Sequence, residues 1–364
     1  MIHYITMADI SNSLNNCVQK KLDQLKTEFK LNDLKIGPLN TPLTIDFYEK
    51  WLNQDFHASM GYLKDHLELK RTPQQISQNL RSVISVAQSY FPSAQKSQQN
   101  FPARIALYSQ NEDYHFWLKE KLHKIAAQLK IDFPEHEFLV YVDSGPVLER
   151  DLAYQNGLGW FGKNTCLIHP QHGSLFFIAE ILTSLETENA NQVLPDFCGK
   201  CNKCQEVCPT QAIVAPKTLD ANKCISFLTI ESKTTPPIEL RPKIGDWFFG
   251  CDLCQTVCPW NEKYFKLNDL LNDSGTSKSP LKELNSQERT ELIEYFRFLL
   301  TASHKKIQKH HYGSPLLRAG AKGLKRNALI VIANQKLIEL KAEVAHLKNS
   351  ELEELSTWTL NQLQ

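Results

Sequence analysis

Eight of the ten cysteines in this 364-residue chain fall between Cys198 and Cys258. Cys198, Cys201, Cys204 and Cys208 are spaced C-x2-C-x2-C-x3-C and closed by Pro209; Cys251, Cys254 and Cys258 are spaced C-x2-C-x3-C and closed by Pro259. Thiolates at this spacing hold iron–sulfur cubanes, the fourth cysteine of a run reaching across to the other cluster. The second run lacks its first ligand, because Phe248 stands there, and Cys224 between the runs is the candidate replacement. The count then closes at two [4Fe–4S] clusters. Cys198, Cys201, Cys204 and Cys258 are expected to hold one, and Cys208, Cys224, Cys251 and Cys254 the other. Zinc has no use for a third cysteine and a Cys-Pro ending. Disulfides need an oxidising compartment, and Met1 to Ile10 shows no basic start or long apolar core of a secretory signal. Cys17 and Cys166 are left over and read as small buried hydrophobes.

Clusters move single electrons but do not name their acceptor. No GxGxxG follows a strand and no GxxxxGK[ST] occurs, which argues against dinucleotide and P-loop sites. Asp143 is the most notable carboxylate, since it ends an apolar strand, where polar groups commonly face a ligand. Its plainer reading is a helix cap, a role Ser144 fills equally well. Gly157 to Asn164 reads GLGWFGKN, glycines that let backbone approach a large planar ligand and aromatics that can wall it. From His304 to Arg326 seven Lys or Arg occur with no acid. Such a run is usually a solvated face, but in a chain of net charge +1 it is also a fair footprint for phosphates.

The elements that must carry these groups are readable in part. Residues 11–30 have apolar side chains at helical spacing, and so does Asp113–Leu129. Ser82–Phe91, Ala103–Tyr108 and Phe138–Val142 read as strands, with 93–100 a polar loop. Leu148–Gln155 is a short helix closed by Gly157. Cys166–His169 and Leu175–Ile181 are extended and joined by a turn. The run Leu175–Leu182 contains Glu180 and is far too short to span a bilayer. Strands alternating with helices predict an α/β domain of mixed sheet topology over residues 1–192. A ferredoxin-type two-cluster domain is expected over 193–262 and an all-α, HEAT-like helical tail over 263–364. The chain is expected to be soluble, cytoplasmic and monomeric.

The motifs, taken in order, resemble the epoxyqueuosine reductase family. They are Gly61-Tyr-Leu with Arg71, Arg81-Ser-Val-Ile84, Asp143-Ser-Gly-Pro, Glu149-Arg150, Gly157-x-Gly-Trp-x-Gly-Lys-Asn-Thr165 and Gly173-Ser174. They continue with Cys224-Ile-Ser-Phe-Leu-Thr229, Gly250-Cys-Asp-x-Cys-Gln-x-Val-Cys-Pro259 and Leu324-Lys-Arg-Asn327. Each piece is ordinary; their joint order across nearly the whole chain is specific. The resemblance implies a cobalamin-binding domain fed by the two clusters, reducing epoxyqueuosine to queuosine at the wobble position of tRNA. Reduced cobalt is expected to act on an epoxide carbon while Asp143, which also lines the cofactor, supplies a proton to the opening oxygen. By motif position Arg71, Lys163, Asn164, Gly173, Ser174 and Ser226 are expected at the cobalamin. Lys233, Lys305, Lys306, Arg318, Lys322, Lys325 and Arg326 are expected at tRNA phosphates. An electron donor, not identifiable from sequence, is implied. Cys166 departs from the family's aliphatic residue, and the tail is short.

Three other readings compete. A reductive dehalogenase also pairs cobalamin with two clusters, but it typically opens with a twin-arginine signal, absent here. An electron-transfer subunit needs the clusters but neither corrin nor Asp143, and a corrin absorbance band separates it. An RNA-binding protein with structural clusters does not need them reduced.

Overall fold

The computed structural model describes residues 7–91, 101–187, 192–266, 281 and 283–364. The expected 93–100 loop lies outside these. The strands are β1 (Asp33–Pro38), β2 (Ser82–Ser89), β3 (Arg104–Ile105), β4 (Phe138–Tyr141), β5 (Trp160–Phe161), β6 (Leu167–Ile168), β7 (Phe176–Thr183), β8 (Ile213–Ala215), β9 (Thr218–Leu219) and β10 (Trp247–Phe249). The earlier helices are α1 (Met7–Glu28), α2 (Ile45–Asn53), α3 (Leu67–Arg71), α4 (Tyr114–Asp132), α5 (Glu149–Gln155), α6 (Lys203–Glu206), α7 (Ile225–Ile230) and α8 (Arg241–Ile244). The later ones are α9 (Leu253–Thr256), α10 (Glu262–Lys266), α11 (Ser286–Thr301), α12 (His304–His310), α13 (Gly320–Asn334), α14 (Lys341–Ala345) and α15 (Glu353–Gln362). Among the described residues no helix is long and apolar enough to cross a membrane.

Two compact units divide the chain. The first comprises Met1–Gln54, Gly61–Tyr90 and Tyr114–Gly199. Its sheet runs β1-β2-β7-β4, and every neighbouring pair is antiparallel. This corrects the mixed topology expected from sequence. Helix α4 does link the two like-directed strands β2 and β4, as a βαβ unit would, but β7 inserts between them and runs against both. Side chains alternate across the sheet. Ile84, Val86, Ala179 and Ile181 bury against Val18, Leu22 and Leu25 of α1 and Leu118, Leu122 and Ile125 of α4. On the other face Val83 and Leu182 pack on Leu152 of α5, and Ala87 on Ala153. Edge strand β1 escaped the sequence reading because Lys35, Gly37 and Pro38 break its apolar pattern; proline is tolerated at such an edge.

The second unit comprises Asp55–Met60, Phe91–Asp113 and Lys200–Gln364. Here α7, β10 and α9 share one hydrophobic core with the helices from α11 onward. The stretch Ala103–Tyr108 is a second correction. Only Arg104–Ile105 is strand, and it pairs in parallel with Trp247–Phe249 rather than joining the first unit's sheet. The pairing is pinned by Arg104, which donates to Asp246 at 2.9 Å and lies over the Trp247 ring at 4.1 Å.

Helix α13 is buried nearly all round, and its two polar residues Arg326 and Asn327 explain how it docks. Asn327 Nδ2 donates to the Thr229 and Phe248 carbonyls at 2.7 and 2.9 Å. Arg326 donates to the Leu228, Ser232 and Thr234 carbonyls and to Asn327 Oδ1, closing the end of α7. Arg326 is 2% exposed. Its guanidinium is spent on carbonyls of the segment 228–234, so the expectation that it touches tRNA phosphate is corrected to a structural role. Arg326→Met should strand those carbonyls and cost about 3 kcal/mol, read as a lowered urea midpoint of the holoprotein.

Candidate functional site

In the first unit Asp143 follows β4 at the centre of a three-residue turn. The Ser144 N–H donates to the Val142 carbonyl at 2.7 Å, and Asp143 has φ 59°. A tight turn with positive φ at its centre is rare and strained for a residue with a Cβ, and such strain clusters at functional sites. The next turn residues must be small, since a Cβ on Gly145 would meet the Tyr141 ring at 2.7 Å.

Two side chains of α4 converge on the Asp143 carboxyl. Tyr114 donates its hydroxyl to Oδ2 at 2.8 Å, and His115 Nε2 lies 3.1 Å from the same oxygen. Tyr114 is itself oriented by stacking on Phe177 of β7 at 4.0 Å. The Asp143 side chain is 59% exposed, so no apolar pocket encloses it. Behind the turn sits Glu149, half-buried with its Oε1 out of reach of solvent, whose carboxyl accepts the Asp143 backbone N–H. Burial, then repulsion from Asp143, pushes the Glu149 pKa up to about 8. Glu180 of β7 lies deeper, hydrogen-bonded to Ser85 at 2.7 Å, with its pKa raised well above the ordinary value by burial.

Tyr114, His115 and Glu149 were not assigned site roles from sequence. Glu149 stood inside a motif and Glu180 was visible as a charge in an apolar strand. Tyr114 and His115 begin a helix 28 or 29 residues from Asp143 and carry no local signal.

The glycine-rich segment forms the β5–β6 hairpin and the turn before β7. Asn164 and Ser174 are buried, Gly173 has φ 61°, and Asn164 Oδ1 accepts the Cys166 N–H at 3.2 Å. Lys163 Nζ donates to the Gly199 carbonyl at 2.8 Å. Arg71 is instead committed to Glu49, with Asp46 at 3.5 Å, which is an ion pair within its own unit. Ser226 lies in the second unit on α7, its N–H directed at the Cys224 sulfur.

Several of the cysteines of the second unit lie near one another. Cys204 and Cys254 occupy equivalent places on the short helices α6 and α9, which pack on each other. Cys224 is half-buried, and its sulfur accepts N–H groups from Phe227 and Ser226. It is close enough to Cys208 and to Cys251 for each pair to interact electrostatically. The Cys208 sulfur accepts the Ala212 N–H at 3.3 Å, and Cys251 that of Leu253. Burial raises the pKa of the Cys198, Cys224 and Cys251 thiols, so a cationic group is needed to hold them as thiolates. Phe248, at the missing ligand position, is fully buried against Phe101, Tyr295 and Phe296. Cys166 is half-buried; Cys17 is exposed, contrary to its reading as a buried hydrophobe.

The basic strip changes character once folded. Arg318 pairs with Glu231 at 2.8 Å, Lys322 pairs with Glu351, and Lys325 donates to the Leu300 and Ala302 carbonyls at the end of α11. Lys233 reaches the Arg318 carbonyl at 3.4 Å. Lys305, Lys306 and Lys309 stand exposed on α12, and Tyr312 just beyond is 89% exposed.

Known proteins match this chain in two segments and over most of its length. Residues 197–261 match the model of a 4Fe-4S double cluster binding domain, and residues 70–144 match "Epoxyqueuosine reductase QueG, DUF1730". The chain is 33% identical to the epoxyqueuosine reductase of Pseudomonas aeruginosa, over 84% of its length and 80% of the relative. It is 35% identical to that of Escherichia coli, over 86% and 82%. A solved epoxyqueuosine reductase superposes with TM-score 0.78 at 26% identity, covering 96% of this chain and 91% of the other. A second, solved with an epoxyqueuosine-modified tRNA-Tyr stem loop, gives 0.77 at 25% identity, with the same coverage.

Proposed function

Because the chain belongs to the epoxyqueuosine reductase family, we propose that it reduces epoxyqueuosine to queuosine at the wobble position of tRNA. The observation that carries this reading is the Asp143 carboxyl, set on a strained turn and held by Tyr114 and His115 in a chain that also carries a two-cluster segment. The tRNA-bound relative supports the choice of substrate.

The β5–β6 hairpin suits cobalamin in kind. Asn164 and Ser174 are buried neutral hydrogen-bonding groups, Gly173 offers backbone without a side chain, and Lys163 adds one cation. That set matches a macrocycle rimmed with amides. These four residues hold the group on this reading, and Arg71, spent on Glu49, does not. Cobalamin supplies a reducible cobalt when bound, and two [4Fe–4S] clusters supply electrons singly. This chain's own part is acid–base work. Asp143 gives a proton to the epoxide oxygen as the ring opens, and His115 restores it. The enzyme is read as a cytoplasmic monomer with a HEAT-like tRNA-binding tail.

Anaerobically reconstituted protein, given cobalamin and a chemical reductant, should convert epoxyqueuosine-containing tRNA to queuosine tRNA, scored by nucleoside mass spectrometry. No conversion would count decisively against this function.

Lys305, Lys306 and Lys309 are the cations of the strip best placed for phosphates. Replacing all three by glutamine should weaken tRNA binding and flatten its log–log salt dependence by ~0.7 per lost contact, measured by filter binding between low and moderate salt. An unchanged slope would return α12 to an ordinary solvated face.

A further inference from the structure

The turn that presents Asp143 is strained, so something must hold it. Its outward contacts, Tyr114 and His115, grip the carboxyl and leave the backbone to relax. The backbone contact comes from beneath, where the Glu149 carboxyl accepts the Asp143 N–H. Glu149 occupies the first position of α5, which packs on β2 and β7, so its backbone is fixed by the sheet. Its other oxygen, Oε1, is buried and has no hydrogen-bond partner.

We propose that Glu149 is the positioning residue of Asp143, its carboxyl latching the Asp143 N–H and so holding the strained turn that presents the acid. This rests on the function proposed above.

The latch depends on protonation. Four groups face Glu149: Asp143 on the turn, Arg150 on its own helix, His115 on α4, and Glu180 on β7. The Asp143 N–H, Arg150 and His115 favour the anion, but burial and the Asp143 carboxylate outweigh them. The Glu149 pKa is raised to about 8, so the folded chain selects the neutral acid, and that form is lost as pH rises through about 8. A neutral carboxyl accepts the N–H without repelling Asp143. An ionised one repels the Asp143 carboxylate and carries a charge that burial opposes, and together these push the turn open against the N–H contact. The latch therefore holds at neutral pH and releases under alkaline conditions.

Two variants test this in the cluster- and cobalamin-loaded enzyme. Glu149→Ala should lower kcat about 10- to 100-fold, as misplacing a reacting group does, while KM for the tRNA stays within about twofold. A crystal structure of that variant should show residue 143 relaxed to negative φ. Glu149→Gln keeps an acceptor oxygen but cannot titrate. It should retain kcat at pH 7 and lose the alkaline fall that the parent shows near pH 8. Parent-like kcat in Glu149→Ala, or an alkaline fall that survives in Glu149→Gln, would overturn the proposal. Should the alanine variant not fold, the glutamine profile decides alone. A parent enzyme that converts no tRNA would instead indict the function, leaving the structural readout at residue 143 to judge the latch.

Discussion

Asp143→Asn is expected to abolish turnover, about 10²- to 10⁴-fold, while the protein keeps its iron, its cobalamin and its affinity for tRNA. Asparagine has nearly the shape of aspartate, and its Oδ1 still accepts from Tyr114 and His115, so the turn should survive. What it lacks is an acidic proton. Opening an epoxide leaves an alkoxide unless a proton arrives with the breaking bond. A free aspartate, with pKa ≈ 3.9, holds a proton in only about one molecule in a thousand at pH 7. One remedy is an apolar pocket, and the 59% exposed side chain of Asp143 has none. The other is a neighbour. His115, 3.1 Å away, offers an imidazole, the side chain best suited to taking up a proton and passing it on. The Asp143–His115 pair can therefore carry a proton that neither the exposed carboxyl nor bulk water delivers efficiently. Single-turnover conversion measured with reduced, loaded enzyme separates chemistry from binding. Near-normal conversion by Asp143→Asn would remove Asp143 from the chemistry.

What sequence could and could not reveal follows from the range of each interaction. The two-cluster segment was legible because ligand spacing is local, and Asp143 was singled out because a motif surrounds it. Tyr114 and His115 were not, since their proximity to Asp143 exists only once α4 packs on β7 beside β4. The strand at Arg104–Ile105 went to the wrong sheet because its partner lies at Trp247–Phe249, more than 140 positions on. Charge composition misled at Arg326. A run of cations shows charge but not facing, and α13 turns this one inward onto the carbonyls around α7. The apolar neighbours Leu324, Ala328 and Leu329 were the available hint. The acid-free appearance of the strip was likewise local, since Glu231 and Glu351 reach Arg318 and Lys322 from distant segments.

Cys224→Ala should remove one cluster and all turnover, lowering iron from roughly eight to roughly four atoms per chain. A cubane needs a ligand at each iron, and the run Cys251–Cys258 is one short because Phe248 holds the first place. Phe248 cannot be a rotated or masked ligand site, since it is fully buried among Phe101, Tyr295 and Phe296. Its carbonyl accepts from Asn327, which fixes β10 as core. Cys224 is the sulfur that remains, between Cys208 and Cys251, with the Ser226 and Phe227 N–H groups turned toward it. Those N–H groups favour the charged thiolate that burial opposes, and they tune the potential of a cluster bound there. Two comparisons make the outcome sharp. Cys17→Ala, at an exposed position on α1, should keep all its iron. Adding Phe248→Cys to Cys224→Ala should not restore the lost cluster, because a thiol at 248 points into the aromatic core. Full iron in Cys224→Ala, or rescue by the thiol at 248, would return the second cluster to the plain ferredoxin arrangement. Loss without rescue ties that cluster to the helix that begins at Cys224.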